Sequence, residues 1–181
     1  KEEGKITFLG GKQEFIKLGV FDDIDMMIMQ HTGARNDNGI EAIASSSGNG
    51  FTAKMIKYKG KEAHSAGAPH LGINAVAAAN IGFQALAMQR ETFQDKDCVR
   101  VHPIITKGGD LVNVIPADVR VETLVLANNY DAIVDACEKT DRASKAGAYA
   151  MSAEIELTDF PGYIPALLFQ ELSDVAYEHH K

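Results

Sequence analysis

Four places in the chain carry side chains whose type and setting could do chemistry. Glu2 and Glu3 are adjacent acids followed by Gly4. Neighbouring side chains of an extended stretch point to opposite sides, so one carboxylate could ligate a metal while the other faces a metal-bound water. His31 closes the apolar run that begins at Asp25. The carboxyl end of a buried parallel strand is where α/β domains keep ligands and catalytic groups. His64 lies in the loop Gly60-Lys61-Glu62-Ala63-His64-Ser65-Ala66-Gly67. Its small neighbours let backbone and ligand come close, and the imidazole could polarise a carbonyl or stabilise an oxyanion. Asn113, in the loop Lys107 to Pro116, could hold a carboxylate or carbonyl through its amide. Each also has an ordinary reading: a solvated loop, a strand-end histidine, a surface histidine and a turn-forming asparagine. His70 beside Pro69 reads as structural, His102 as a half-buried sheet residue, and His179 and His180 as a frayed tail.

The elements that must position these residues fall into two kinds. Up to about residue 47 helix and strand alternate. A short helix over Gly11 to Leu18 is capped by Gly19, and a strand runs from Asp25 to His31. Ser45 to Gly50 is a linker. From Phe51 the order becomes strand, helix, strand, strand, helix, strand: Phe51 to Tyr58, Ile73 to Arg90, Cys98 to Thr106, a strand through Val119 to Val125, Asn129 to about Gly147, and Met151 to Leu157. Pro103 marks an edge or bulge in the second strand. Val119, Val121, Thr123 and Val125 alternate with Arg120, Glu122 and Leu124, as a half-buried strand requires. In the second helix Tyr130, Ile133, Val134 and Cys137 share a face. This order is the ferredoxin-like split βαβ pattern, a four-stranded antiparallel sheet with two helices on one side. The first helix is apolar over most of its circumference, which predicts either a second buried face, such as a dimer contact, or simply tolerated alanine. A final helix, Ala166 to about Glu178, lies outside that unit.

Bulk properties narrow the partners. The chain has 181 residues, a formal net charge of -7 and 45% hydrophobic residues. It can bury a core, and its acidity disfavours a nucleic acid held through phosphates. The sheet also lacks the aromatic platform of single-stranded RNA binders. No run of eighteen apolar residues predicts a membrane span. Cys98 and Cys137 have no metal-like spacing and read as free thiols, and no secretory leader is recognised, so a cytoplasmic protein is expected.

The set of motifs is more specific than any member. Glu2-Glu3-Gly4, the strand ending Met29-Gln30-His31-Thr32-Gly33, Gly60-Lys61-Glu62-Ala63-His64-Ser65, and Gly108-Gly109-Asp110-Leu111-Val112-Asn113-Val114-Ile115-Pro116 occur in that order. Together they resemble the dinuclear-zinc aminoacylase and glutamate carboxypeptidase family of metallopeptidases, in particular its amidohydrolase branch of aminobenzoyl-glutamate and N-acyl-amino-acid hydrolases. The resemblance implies an α/β zinc-peptidase catalytic domain interrupted by a ferredoxin-like lid that also dimerises. It implies Glu2 as general base, Glu3 and His31 as metal ligands, and His64 as the lid histidine that reaches the partner protomer's active site and steadies the scissile carbonyl. Asn113 would contact the substrate's carboxylate end. The implied reaction is hydrolysis of an amide bond next to a free carboxylate, by metal-bound water that Glu2 deprotonates.

The family's upstream ligand motif (Cys-x-His or His-x-Asp) and its last histidine ligand have no counterpart here. Glu3 and His31 alone fall short of the three protein ligands a catalytic zinc takes. The chain therefore reads as a lid with catalytic-domain pieces on either side: residues 1–47 a catalytic-domain fragment, 48–160 the lid, and 161–181 a helix returning to the catalytic domain. The expectation is a homodimer through the lid, handling a small-molecule or peptide substrate with a free carboxylate, with zinc weakly held or absent in this piece and no activity from it alone. The competing expectation is a non-catalytic ferredoxin-like binding or dimerisation module, since this fold hosts many such functions. Against it, a free-standing module has no reason to carry Glu2-Glu3-Gly4 or the strand ending at His31.

Overall fold

The computed structural model describes residues 10–27, 48–167 and 169–179. Its body is one antiparallel sheet with two helices on one face. β1 (Gly50–Lys59) lies at the centre between β4 (Asp118–Ala127) and β5 (Glu154–Pro161). β2 (Arg100–Val101) and β3 (Ile104–Lys107) both pair with β4 and form the opposite edge. Counting β2 and β3 as one interrupted strand, this is the split βαβ topology expected from the order of elements.

The ladder sets which side chains meet. Ile56 pairs with Val121 and Leu157, and Tyr58 with Val119 and Ile155. These point to one face, where the core forms against Ala75, Ala78, Ala79 and Ala148 of the helices. β4 alternates as the sequence pattern requires: Val119, Val121, Thr123 and Val125 are buried, while Arg120, Glu122 and Leu124 are exposed. The strand expected from Cys98 to Thr106 is broken at His102 and Pro103. Proline has no N–H to give to the ladder, and the His102 amide donates instead to the Thr123 hydroxyl at 3.2 Å. His102 is exposed there rather than half-buried in a strand.

α2 (Ala75–Met88) and α3 (Tyr130–Ala150) each begin at an asparagine cap. The Asn74 carbonyl oxygen accepts from the Ala77 amide and that of Asn129 from the Ala132 amide. The second apolar face of α2 packs on α3. A Cβ on Gly147 would lie 2.2 Å from the Ala78 carbonyl oxygen, and one on Gly82 would lie 2.6 Å from the Tyr58 hydroxyl. The helices approach this closely because Gly147 lacks a side chain, and α2 seats against the Tyr58 hydroxyl of β1 because Gly82 does. On α3 the buried stripe is Ala132, Ile133, Ala136, Thr140, Ala143, Ser144, Gly147 and Ala148. Tyr130 and Val134, grouped by spacing with the inward residues, are exposed. Of that group only Ile133 is buried; small side chains take the buried face because the neighbouring helix is so near.

Outside this body, α1 (Gly11–Lys17) ends at Gly19, whose φ of 70° is the left-handed conformation a helix C-cap uses. Of the strand expected from Asp25 to His31, only Asp25 to Met27 is described; these three form neither helix nor strand, and Met26 and Met27 are exposed. The last helix, α4 (Gln170–Glu178), starts later than its sequence signal. The incoming and outgoing segments of the body run side by side. The Ala166 amide donates to the Gly48 carbonyl at 3.1 Å, that of Phe51 to the Tyr163 carbonyl at 2.9 Å, and the rings of Phe51 and Tyr163 meet edge to face.

Candidate functional site

Two loops leave the same end of the sheet and zip together. One follows β1, from Gly60 to Asn74; the other precedes β4, from Gly108 to Ala117. The Gly60 amide donates to the Ala117 carbonyl at 2.8 Å, that of Ile115 to the Ala63 carbonyl at 2.9 Å, that of Ser65 to the Asn113 carbonyl at 2.9 Å, and that of Ala75 to the Pro116 carbonyl at 2.9 Å. His64 forms an antiparallel bridge with Val114. The first loop is closed on itself by the reciprocal pair Lys61 and Ile73. Gly60 is needed where it stands, because a Cβ there would lie 2.0 Å from the Ile73 carbonyl oxygen. Gly109 turns the second loop at a φ of 131°, a conformation that side-chain-bearing residues rarely adopt.

This ladder brings His64 and Asn113 to one exposed rim. The His64 ring is not a loose surface side chain. Its Nδ1 accepts from the Gly67 amide at 2.9 Å and the Ala66 amide at 3.2 Å, and its own carbonyl accepts from the Ala68 amide at 3.1 Å. An acceptor two and three residues ahead of its donors is the N-cap arrangement, here with an imidazole in place of a hydroxyl or carboxylate. Sequence reasoning picked out His64 but missed these amides. The signal was present in the small residues after it, which leave the turn free to close on the ring.

Beside the rim, a cleft of about 170 Å³ is lined by Glu62, Lys107, Asp110 and Asp118 among others. Asp118 is the hub of its charges, with Lys107 and Arg120 within 3.2 Å. Burial alone would push its carboxyl up, but the hydrogen bonds from Arg120 and Lys107 outweigh that and hold it below its ordinary value. Sequence inspection gave no hint of this cluster. A larger cleft, about 640 Å³, lies between the end of α2 and β2, and includes neither His64 nor Asn113. Size therefore does not locate the site here; the meeting of the two loops does.

Glu2, Glu3 and His31 lie outside the described residues. Among the described residues no group of three or more His, Cys, Asp or Glu side chains could hold a metal ion. What the described rim offers is polar: one imidazole edge and one amide, suited to contacting oxygen atoms of a substrate.

Comparison with known proteins agrees with this architecture. Residues 49–149 match the family described as the peptidase dimerisation domain. The chain is 29% identical over 160 residues to the Xaa-Arg dipeptidase of Mus musculus, covering 86% of this chain and 35% of that one. It is 33% identical over 121 residues to a p-aminobenzoyl-glutamate hydrolase homolog of Haemophilus influenzae, covering 66% and 28%. Among solved structures, the aminobenzoyl-glutamate utilization protein of Klebsiella pneumoniae superposes with a TM-score of 0.62 at 18% identity, over 73% of this chain and 33% of that one. The chain thus spans about a third of the length of the relatives it matches.

Proposed function

Since the chain belongs to the peptidase dimerisation domain family, we propose that it is the lid-bearing part of a metal-dependent amidohydrolase that cleaves an amide bond next to a free carboxylate. N-acyl amino acids, dipeptides and aminobenzoyl-glutamate are the substrate classes. The observation that carries the reading is the backbone ladder that sets His64 and Asn113 on one exposed rim. His64 donates a hydrogen bond to the scissile carbonyl, where negative charge develops during attack by water. Asn113 holds the carboxylate end through its amide. The order of motifs supports Glu2 as the general base and Glu3 and His31 as ligands of a catalytic zinc. Bound there, zinc would supply an activated water; the described residues bind and orient the substrate. The side-by-side course of residues 48–51 and 163–166 supports the lid as an insertion in a longer chain, since an inserted unit leaves its host close to where it enters. The lid also pairs two protomers, and a cytoplasmic location fits the free Cys98 and Cys137.

The test uses the longer gene product. Release of free amino acid is measured over the three substrate classes with added zinc, beside Glu2→Gln, His64→Ala and Asn113→Ala. One class should be turned over. Glu2→Gln should abolish turnover, and His64→Ala should lower kcat by about 10²–10³-fold, the usual loss for one oxyanion donor. Asn113→Ala should act mainly on KM. No turnover with any metal would overturn the reading in favour of a binding or pairing module.

A further inference from the structure

We propose that the backbone amides of Ala66 and Gly67 hold His64 in a single tautomer, with the proton on Nε2, so that the exposed edge of the lid is a fixed hydrogen-bond donor. Nδ1 lies 2.9 Å from the Gly67 nitrogen and 3.2 Å from the Ala66 nitrogen. Both nitrogens belong to amides and can only donate, so Nδ1 must present its lone pair. A neutral imidazole carries one proton, and with Nδ1 an acceptor that proton sits on Nε2. The ring cannot escape by turning away from the amides without losing both bonds, and the turn that aims them is closed by the Ala68 amide on the His64 carbonyl.

The consequence is selective. An Nε2–H edge accepts a partner with a lone pair, such as a carbonyl or carboxylate oxygen. It rejects a metal ion, because ligation through Nε2 would drive the proton onto Nδ1 and against two N–H groups. Ala66 and Gly67 are thus positioning residues for whatever oxygen the lid contacts. That this oxygen is the scissile carbonyl rests on the function proposed above; the tautomer is a property of the chain alone.

The experiment is a long-range proton–nitrogen correlation spectrum of the 15N-labelled 181-residue chain, at a pH well above the ordinary histidine value of about 6.5. His64 should show a protonated Nε2 and an unprotonated Nδ1. The ratio should be roughly tenfold or more, as expected when a hydrogen bond is open to one tautomer only. A scalar coupling should link Nδ1 to the Gly67 amide nitrogen, and exposed His70 should show no such coupling and a smaller tautomer ratio. Zinc chloride should leave the His64 ring signals in place. Gly67→Ala keeps the N–H, and a Cβ there comes no nearer than 3.5 Å to the ring, so it should preserve the signature. Gly67→Pro removes the donor and should let the tautomers mix. A proton on Nδ1, a mixture like that of His70, or a zinc-induced shift at His64 would each overturn the proposal, and the wild-type spectrum decides even where the proline variant does not fold. No substrate is involved, so an inactive parent enzyme would leave this result standing, and an active one with a mixed tautomer would sink this inference alone.

Discussion

Lys54 faces the helices from the middle of β1, buried, and directly across the ladder from Asp159. Its ammonium lies 2.6 Å from Asp159 and 3.0 Å from Asp141 of α3. Burial pulls its pKa down, but the hydrogen bonds to the two carboxylates outweigh burial and the net direction is up from 10.5. Asp141 and Asp159 are partly exposed, at 28% and 48% of their side chains, so water shares their charge when the lysine is removed. Lys54→Ala should therefore cost about 2–4 kcal/mol, somewhat under the usual range for breaking a buried pair, and Lys54→Met, which keeps the volume, should cost less. Urea unfolding of the three proteins measures both. The pH dependence has a definite sign. A group whose pKa is raised by folding contributes stability that is fully present below its unfolded value and lost as pH rises through its folded value. Tyr58, raised by burial from 10.0, slopes the same way. Both losses set in above about pH 10, and Lys54→Met should flatten the alkaline decline while leaving the Tyr58 part. An undiminished decline in that variant would show that the cluster contributes nothing.

The elements meet where the side chains are smallest. In an exposed helix, replacing glycine by alanine stabilises by about 1 kcal/mol. At Gly147 the sign should reverse, because the added methyl would press on the backbone of α2 at Ala78 and Gly82. The expected cost of Gly147→Ala is about 1–3 kcal/mol, the range for overpacking a filled core. Gly11, where a Cβ meets nothing within 4 Å, serves as the control and should be neutral or slightly stabilising as alanine. Equal urea midpoints for the two variants would mean that α2 and α3 do not pack this closely. The all-round apolar character of α2 was legible in the sequence. That its second face belongs to α3 was not, because the pattern of one helix records how much surface it hides and not which neighbour hides it.

At the scale of the whole molecule, among the described residues two strands have no partner on their outer sides, β5 and the interrupted β2–β3. The chain belongs to a family described by dimerisation. Light scattering on the 181-residue chain should give about twice its 19.6 kDa, and a clean monomer at high concentration would count against pairing. The order of elements in the body was readable from the sequence. Alternation in β4 and the apolar spacing of both helices are properties of single segments, repeated every two or nearly four residues, and they survive in a one-dimensional string. The loops after Gly60 and around Gly108-Gly109 were readable because glycines and small residues mark turns locally. The tertiary structure alone decided which distant segments meet: His64 with Val114, Lys54 with Asp141 and Asp159, Gly82 with Gly147. It also aimed the amides of Ala66 and Gly67 at an imidazole, whereas the break beside Pro103 was already marked in the sequence. Such contacts depend on ladder register and helix separation, which the whole fold sets at once and no single stretch of chain encodes.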